Sequence, residues 1–224
     1  NYYYMAYTGS TTLDEGLDNN VFVARSATIN GKNWEKWNGS SWGGDPAPAV
    51  DAELSATETF FGAGEPSLVV KGDQIYLYYT YSDNEQGIYN VRLMTAAASD
   101  PNWPASMTDQ GEVIDRTAFK GLNVDGCSVR YIEDQDCFQA VHGVNIADVN
   151  SYSVVWVSKD GVSGWEQKGL LSNNIRVRAK YARFICNEQS HITSTTPRLL
   201  IYQNGGQYSK TAWPTRMVPY SFVE

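Results

Sequence analysis

Residues 65–114 read EPSLVVKGDQIYLYYTYSDNEQGIYNVRLMTAAASDPNWPASMTDQGEVI. Glu65 to Val70 is a short apolar strand, and Lys71-Gly72-Asp73 turns it. Gln74 to Tyr81 is a second strand, aromatic on both faces. Ile88 to Ala97 is a third, and Trp103 with Gln110 to Ile114 supplies a fourth. Aromatic and β-branched runs bounded by Gly, Asn and Asp are the pattern of strands and turns.

The same order recurs on both sides. Downstream, Cys127 to Ile132, Phe138 to Gly143, Tyr152 to Ser158, and Trp165 with Gln167 to Leu171 repeat the four strands. From Glu65 to Cys127 the repeat advances by about 60 residues. The text SKDGVSGWEQKGLL parallels ASDPNWPASMTDQGEVI. Upstream, Tyr2 to Thr8, Val21 to Ala27 and Trp34 to Trp37 read as second, third and fourth strands. Near the end, His191 to Thr195, Arg198 to Gln203 and Met217 to Val223 read as first, second and third. Each unit is a small antiparallel sheet that cannot bury both faces alone, and radial packing around an axis satisfies them all. The expectation is therefore an all-β chain, a single β-propeller domain over 1–224 built from four-stranded antiparallel blades. A β-sandwich is the competing architecture. The first unit lacks its first strand and the last lacks a clear fourth, so a missing segment or a second chain is expected to complete the ring.

Composition narrows the partners. The net charge of −8 repels phosphate backbones, so no nucleic acid is expected. No run of about 18 apolar residues occurs, so no membrane span is expected. The start at Asn1 reads as a mature or trimmed product of a secreted or periplasmic protein. Cys127, Cys137 and Cys186 match no zinc or redox spacing and are expected to be free, buried thiols. No phosphate-cradling glycine loop is present.

Three texts carry a family resemblance. GEPSLVVKGDQIYLYYTYSD resembles the inner hairpin of the family 43 type of glycoside hydrolases, the arabinanase, xylosidase and arabinofuranosidase group. VFVARSATINGKNWEKW is similar to their third-to-fourth strand text, and NEQSHITSTTPRLLIYQ to their Glu-Gly-Pro-His segment. The resemblance implies a five-bladed propeller, with about four blades visible in this chain. It implies three carboxylates at the axial mouth: a base, a modulating Asp and an acid. Glu188 matches the acid and Asp125 the modulator, while the strand that would carry the base is absent. Glu65 stands where the second blade has its first inner residue.

The residues themselves fit such chemistry. Inverting hydrolysis of a glycosidic bond needs one protonated and one ionised carboxyl, about 6.5–9.5 Å apart. Glu65, Asp125 and Glu188 each lead or precede a first strand, so all three are catalytic candidates; carboxylates gathered in one funnel raise at least one pKa. Each has a plain structural reading too, as a strand-start acceptor, a turn Asp or an exposed loop Glu. Substrate-binding candidates are His191, which would point toward the axis, Arg183 and Arg198 as anion clamps, Tyr81 at the end of the aromatic strand, and Trp42 as a stacking platform. Trp103 and Trp165 recur in register and are expected to pack between blades. No cofactor is predicted; a central metal ion such as calcium could sit on a propeller histidine, but the pattern supplies no cage. The expected partner is a carbohydrate. The functional expectation is a glycoside hydrolase acting on an arabinose- or xylose-containing glycan; the alternatives are a non-catalytic carbohydrate-binding propeller and a structural or interaction propeller.

Overall fold

The computed structural model describes residues 2–11, 18–30, 32–52, 62–83, 88–119, 121–122, 124–144, 151–170, 179–204 and 215–220. They are strands and short 3-10 turns, with no α-helix among the described residues. The chain divides into two compact units, Asn1–Glu112 and Val113–Glu224.

The first unit holds β1 (Tyr3–Ser10), β2 (Asn19–Ser26) and β3 (Glu35–Lys36) in one antiparallel sheet, in that order. Its second sheet is β4 (Ala63–Lys71), β5 (Gln74–Asp83), β6 (Ile88–Ala97) and β7 (Thr108–Ile114), again in sequence order. This is the four-stranded unit that the opening stretch predicts. Ile75, Leu77 and Tyr79 of β5 pack with Val21, Val23, Trp37 and Trp103, while Tyr78 is buried on the opposite face. A strand buried on both faces explains why QIYLYYTY does not alternate with polar residues. Each such side chain contributes about 1.5–3 kcal/mol by leaving water.

Trp103 sits in a 3-10 turn, Trp103–Ala105, which Asp100 organises. One carboxylate oxygen of Asp100 accepts from the Asn102 N–H at 2.8 Å, the other from the Ser106 hydroxyl at 2.6 Å. Asp160 does the same before Trp165, accepting from the Val162 and Ser163 N–H groups at 2.8 and 2.7 Å. The parallel texts are thus one turn chemistry used twice: an Asp caps the turn that delivers an outer-strand Trp.

In the second unit, β8 (Val124–Ile132), β9 (Cys137–Val144), β10 (Tyr152–Ser158) and β11 (Glu166–Leu170) form the expected antiparallel meander. The last sheet differs from the expectation. Its first strand is β12 (Ala179–Phe184), which pairs with β14 (Leu199–Asn204), and β14 pairs with β15 (Thr215–Pro219). His191–Ile192, expected to open that sheet, is instead β13, a fifth strand laid parallel to the end of β8 at Tyr131 and Ile132. The burial pattern gives the reason. Ala182 and Phe184 of β12 are buried beside Leu200 and Tyr202, while Ile192 fills the space next to Ile132, Cys137 and Val141. The segment between β12 and β14 is therefore a long connection pinned to the neighbouring sheet. None of the three cysteines is in a disulfide; two are buried and Cys186 is half-buried. The end of the expected third strand, 221–223, and part of the long segment Trp42 to Phe61, 53–61, lie outside the described residues.

Candidate functional site

Three first strands share one irregularity. In β4 the pairing with β5 jumps between Gly64 and Ser67. In β8 the pairing with β9 jumps between Asp125 and Ser128, and in β12 the pairing with β14 jumps between Lys180 and Arg183. In each, three steps on the first strand face two on its partner, which defines a bulge of one extra residue. The first bulged residue lies in the left-handed region every time: Glu65 at φ 52°, Gly126 at 64° and Tyr181 at 52°. Glycine adopts this conformation freely, but for Glu and Tyr it costs on the order of 1–3 kcal/mol. The register equates Gly64-Glu65, Asp125-Gly126 and Lys180-Tyr181, an alignment that the sequence expectation did not have.

Each of the first two bulges is anchored. In the first unit the Glu65 N–H donates to the Thr8 hydroxyl at 2.7 Å. In the second, the buried Arg116 donates through Nη1 to the Gly126 carbonyl at 3.1 Å. Beside it lies His142, also buried, next to the Gly143 that pairs with Asp125. Trp156 Nε1–H donates to His142 Nε2 at 2.9 Å, and the Phe119 ring meets the imidazole edge-on at 5.6 Å. So the backbone at Asp125 lies beside a largely buried layer of Arg, His and aromatic rings.

Burial pushes the His142 imidazole down to about 3, with the Arg116 charge pushing the same way and the Gly143 carbonyl opposing. The unfolded chain takes up this proton near the ordinary value of 6.5, whereas the folded chain takes it up only near 3. Stability from this group is full above 6.5 and is lost as pH falls through that window, by up to about 1.4 kcal/mol per pH unit. Urea unfolding at pH 7, 6 and 5 is expected to show this decline, and His142→Gln to flatten it; identical slopes would refute the assignment.

The predicted residues fall into separate places. β12 runs alongside β8 and leads into the turn Asn187–Ser190, where the Ser190 carbonyl accepts from the Tyr131 N–H at 3.2 Å. Glu188, exposed in that turn, therefore lies at the Tyr131 end of β8, and Asp125 at the other. At about 3.3 Å per residue the two backbones are separated by roughly 15–20 Å. His191 stands at the same far end. Its Nδ1 contacts Glu133 Oε1 at 2.9 Å and its ring meets Tyr131 edge-on at 5.0 Å, so it pins β13 instead of opening a first strand.

The remaining candidates have local partners. Arg198 pairs with Asp134 at 2.7 Å, and burial pushes the nearby Tyr220 hydroxyl up to about 12, with the Arg198 charge opposing. Arg183 lies near the buried Arg130 and Cys186. Tyr81 is half-buried under Arg92, whose guanidinium lies 5.2 Å from the ring centre. Trp42 is built into the packing of the first unit: its Nε1–H donates to the Pro101 carbonyl at 2.8 Å, Arg25 lies 4.6 Å over its ring, and Trp37 and Tyr4 abut it. No cluster of three metal-ligating side chains occurs among the described residues. What the sequence expectation did not have is the β12 bulge at Lys180-Tyr181.

Antiparallel sheets whose bulged first strands recur along the chain are propeller blades, and the fold is that of the β-propeller glycoside hydrolases. No family model matches the chain, and no curated protein matches it. Solved structures do. The chain aligns with a family 117 glycoside hydrolase of the marine bacterium Zobellia galactanivorans at TM-score 0.60 and 10% identity, covering 97% of this chain and 62% of that one. It aligns with an endo-arabinase from Bacteroides thetaiotaomicron at TM-score 0.61 and 14% identity, covering 100% of this chain and 72% of that one. A thermostable family 43 glycoside hydrolase gives 0.58 and 13%, covering 91% of this chain and 62% of that one. The chain thus spans less than two thirds of the length of the family 117 and family 43 structures.

Proposed function

We propose that the chain is a glycoside hydrolase that acts outside the cytoplasm on an arabinose- or xylose-containing poly- or oligosaccharide, by carboxylate acid/base chemistry centred on Asp125. The observation that carries this reading is the shared bulge. It sets Asp125-Gly126 and Lys180-Tyr181 at corresponding heads of neighbouring first strands in the second unit, with a buried polar layer beneath the first. Bulges of this kind re-aim side chains next to active sites. Glu65, on the equivalent bulge of the first unit, is the second candidate carboxyl. The endo-arabinase among the solved structures supports an arabinose-containing substrate.

A second reading, a propeller that binds glycan without cleaving it, is favoured by one observation. The third bulge carries Lys180-Tyr181, and Glu188, which the resemblance marks as the acid, stands at the far end of β8. Release of reducing ends from arabinan and arabinoxylan, measured beside binding of the same glycans, separates the two. The expected result is hydrolysis, unchanged in Glu188→Gln. Binding without hydrolysis establishes the second reading, and neither binding nor hydrolysis sinks both. Hydrolysis lost in Glu188→Gln with binding intact would return the acid role to Glu188 and overturn its separation from the reacting carboxyls.

A further inference from the structure

The bulge in β8 takes Gly126 out of the regular ladder. A backbone carbonyl freed in this way and kept from water needs another donor. Gly126 is buried, and the Arg116 Nη1–H donates to its oxygen at 3.1 Å. In the matching bulge of β4 a neutral hydroxyl, that of Thr8, serves the freed backbone group. A neutral side chain is therefore enough to anchor such a bulge, whereas a guanidinium only 1% exposed is costly to place. It is delivered by a built turn between β7 and β8. Asp115 accepts from the Thr117 N–H at 2.8 Å, and the Phe119 N–H donates to the Arg116 carbonyl at 2.9 Å. The strand across from Asp125 is held in the same layer: Asp125 pairs with Gly143, and His142 Nδ1 lies 3.5 Å from the Gly143 carbonyl. Burial and the Arg116 charge keep that imidazole neutral, so Nε2 accepts from Trp156 while Nδ1 carries the proton toward Gly143.

We infer that Arg116 is a positioning residue: by holding the Gly126 carbonyl, its buried guanidinium fixes the backbone at Asp125 and with it the aim of the reacting carboxyl. The inference rests on the reading that centres the chemistry on Asp125 and adds the residue that keeps it in place. A displacement of about 1 Å at a reacting group costs up to about a hundredfold in rate. A bulge invites such a shift, because one strand carries a residue with no partner in the ladder. Arg116 touches no substrate in this role, so loosening it slows turnover without weakening binding.

The test is a split between kcat and KM on an aryl α-L-arabinofuranoside, measured well below every thermal midpoint. Arg116→Lys keeps the charge and most of the bulk, but its nitrogen ends about one bond length short of Nη1 and loosens the hold on Gly126. It is expected to lower kcat by about tenfold to a hundredfold with KM within about twofold of the unaltered chain. Arg116→Met, which removes the donor altogether, is expected to lose at least as much; if it does not fold, Arg116→Lys alone decides. Trp103→Phe, a buried change in the first unit, serves as the control that loses stability and keeps kcat. An unchanged kcat in Arg116→Lys, beside an inactive Asp125→Asn, overturns the inference alone. A raised KM with kcat intact overturns it too, because Arg116 would then act in binding. An equal loss of kcat in Trp103→Phe assigns the effect to general destabilisation and rejects positioning. Full turnover in Asp125→Asn, or none in the unaltered chain, removes the reading centred on Asp125 and this inference with it.

Discussion

Asp125→Asn is expected to lower kcat/KM on an aryl α-L-arabinofuranoside by at least about a thousandfold, the upper range for loss of one acid/base group. Asn is isosteric and keeps the backbone pairing of residue 125 with Gly143. The Arg116 hydrogen bond to the Gly126 carbonyl, the Phe119–His142 contact and the Trp156–His142 hydrogen bond are made by other residues, so the layer beneath stays whole. The thermal midpoint should therefore move by no more than about 2 °C, in line with a substitution that opens no cavity. An activity close to that of the unaltered chain would show that residue 125 takes no part in proton transfer or charge stabilisation. A large fall in the midpoint would instead assign Asp125 to the fold. The combination of lost turnover and retained stability is the pattern that only a reacting or charge-stabilising group gives.

Much of the fold was legible because its signals are local. The stretch 65–114 declares four strands through aromatic and β-branched runs, and β4 to β7 follow it closely. The Asp-capped turns before Trp103 and Trp165 were visible as parallel text because a turn's chemistry lies within six residues. The candidate site was less legible. A bulge is a mismatch between two strands, and nothing in Gly64-Glu65-Pro66, Asp125-Gly126-Cys127 or Lys180-Tyr181-Ala182 shares a residue type at each place. Their common feature is backbone conformation, which only pairing reveals. The same blindness misplaced the strand at His191: the text around it is similar to a first strand, yet the first strand is β12, and His191–Ile192 pairs in parallel with β8. A two-residue parallel strand leaves no periodicity to read. Trp42 illustrates a third limit. An aromatic residue in a long connection is equally suited to a sugar and to neighbouring rings, and in this chain Arg25, Trp37 and Tyr4 hold it.

Trp103→Ala is expected to destabilise the chain by about 3–5 kcal/mol, the upper end of what a buried large-to-small substitution costs. The indole is fully buried, at 0% exposure, and packs with Val21, Val23, Trp37, Ile75 and Leu77. Tyr4 of β1 meets it edge-on at 5.7 Å, so the ring joins the β1–β3 sheet to the β4–β7 sheet within the first unit. Alanine would leave a void that neither sheet can fill, since the 3-10 turn carrying residue 103 is fixed from outside by the Asp100 carboxylate. For a chain of this size the loss corresponds to a midpoint lower by roughly 10 °C. Trp103→Phe sharpens the argument. The buried indole Nε1–H has no hydrogen-bond partner among the described residues. Phenylalanine removes that donor while keeping most of the ring, so its cost should fall well below that of alanine, to about 1–2 kcal/mol. Equal losses for the two variants would mean that the indole nitrogen is satisfied and holds the turn. Small losses for both would mean that the two sheets do not depend on this ring, and that the outer-strand Trp recurs for a reason other than packing.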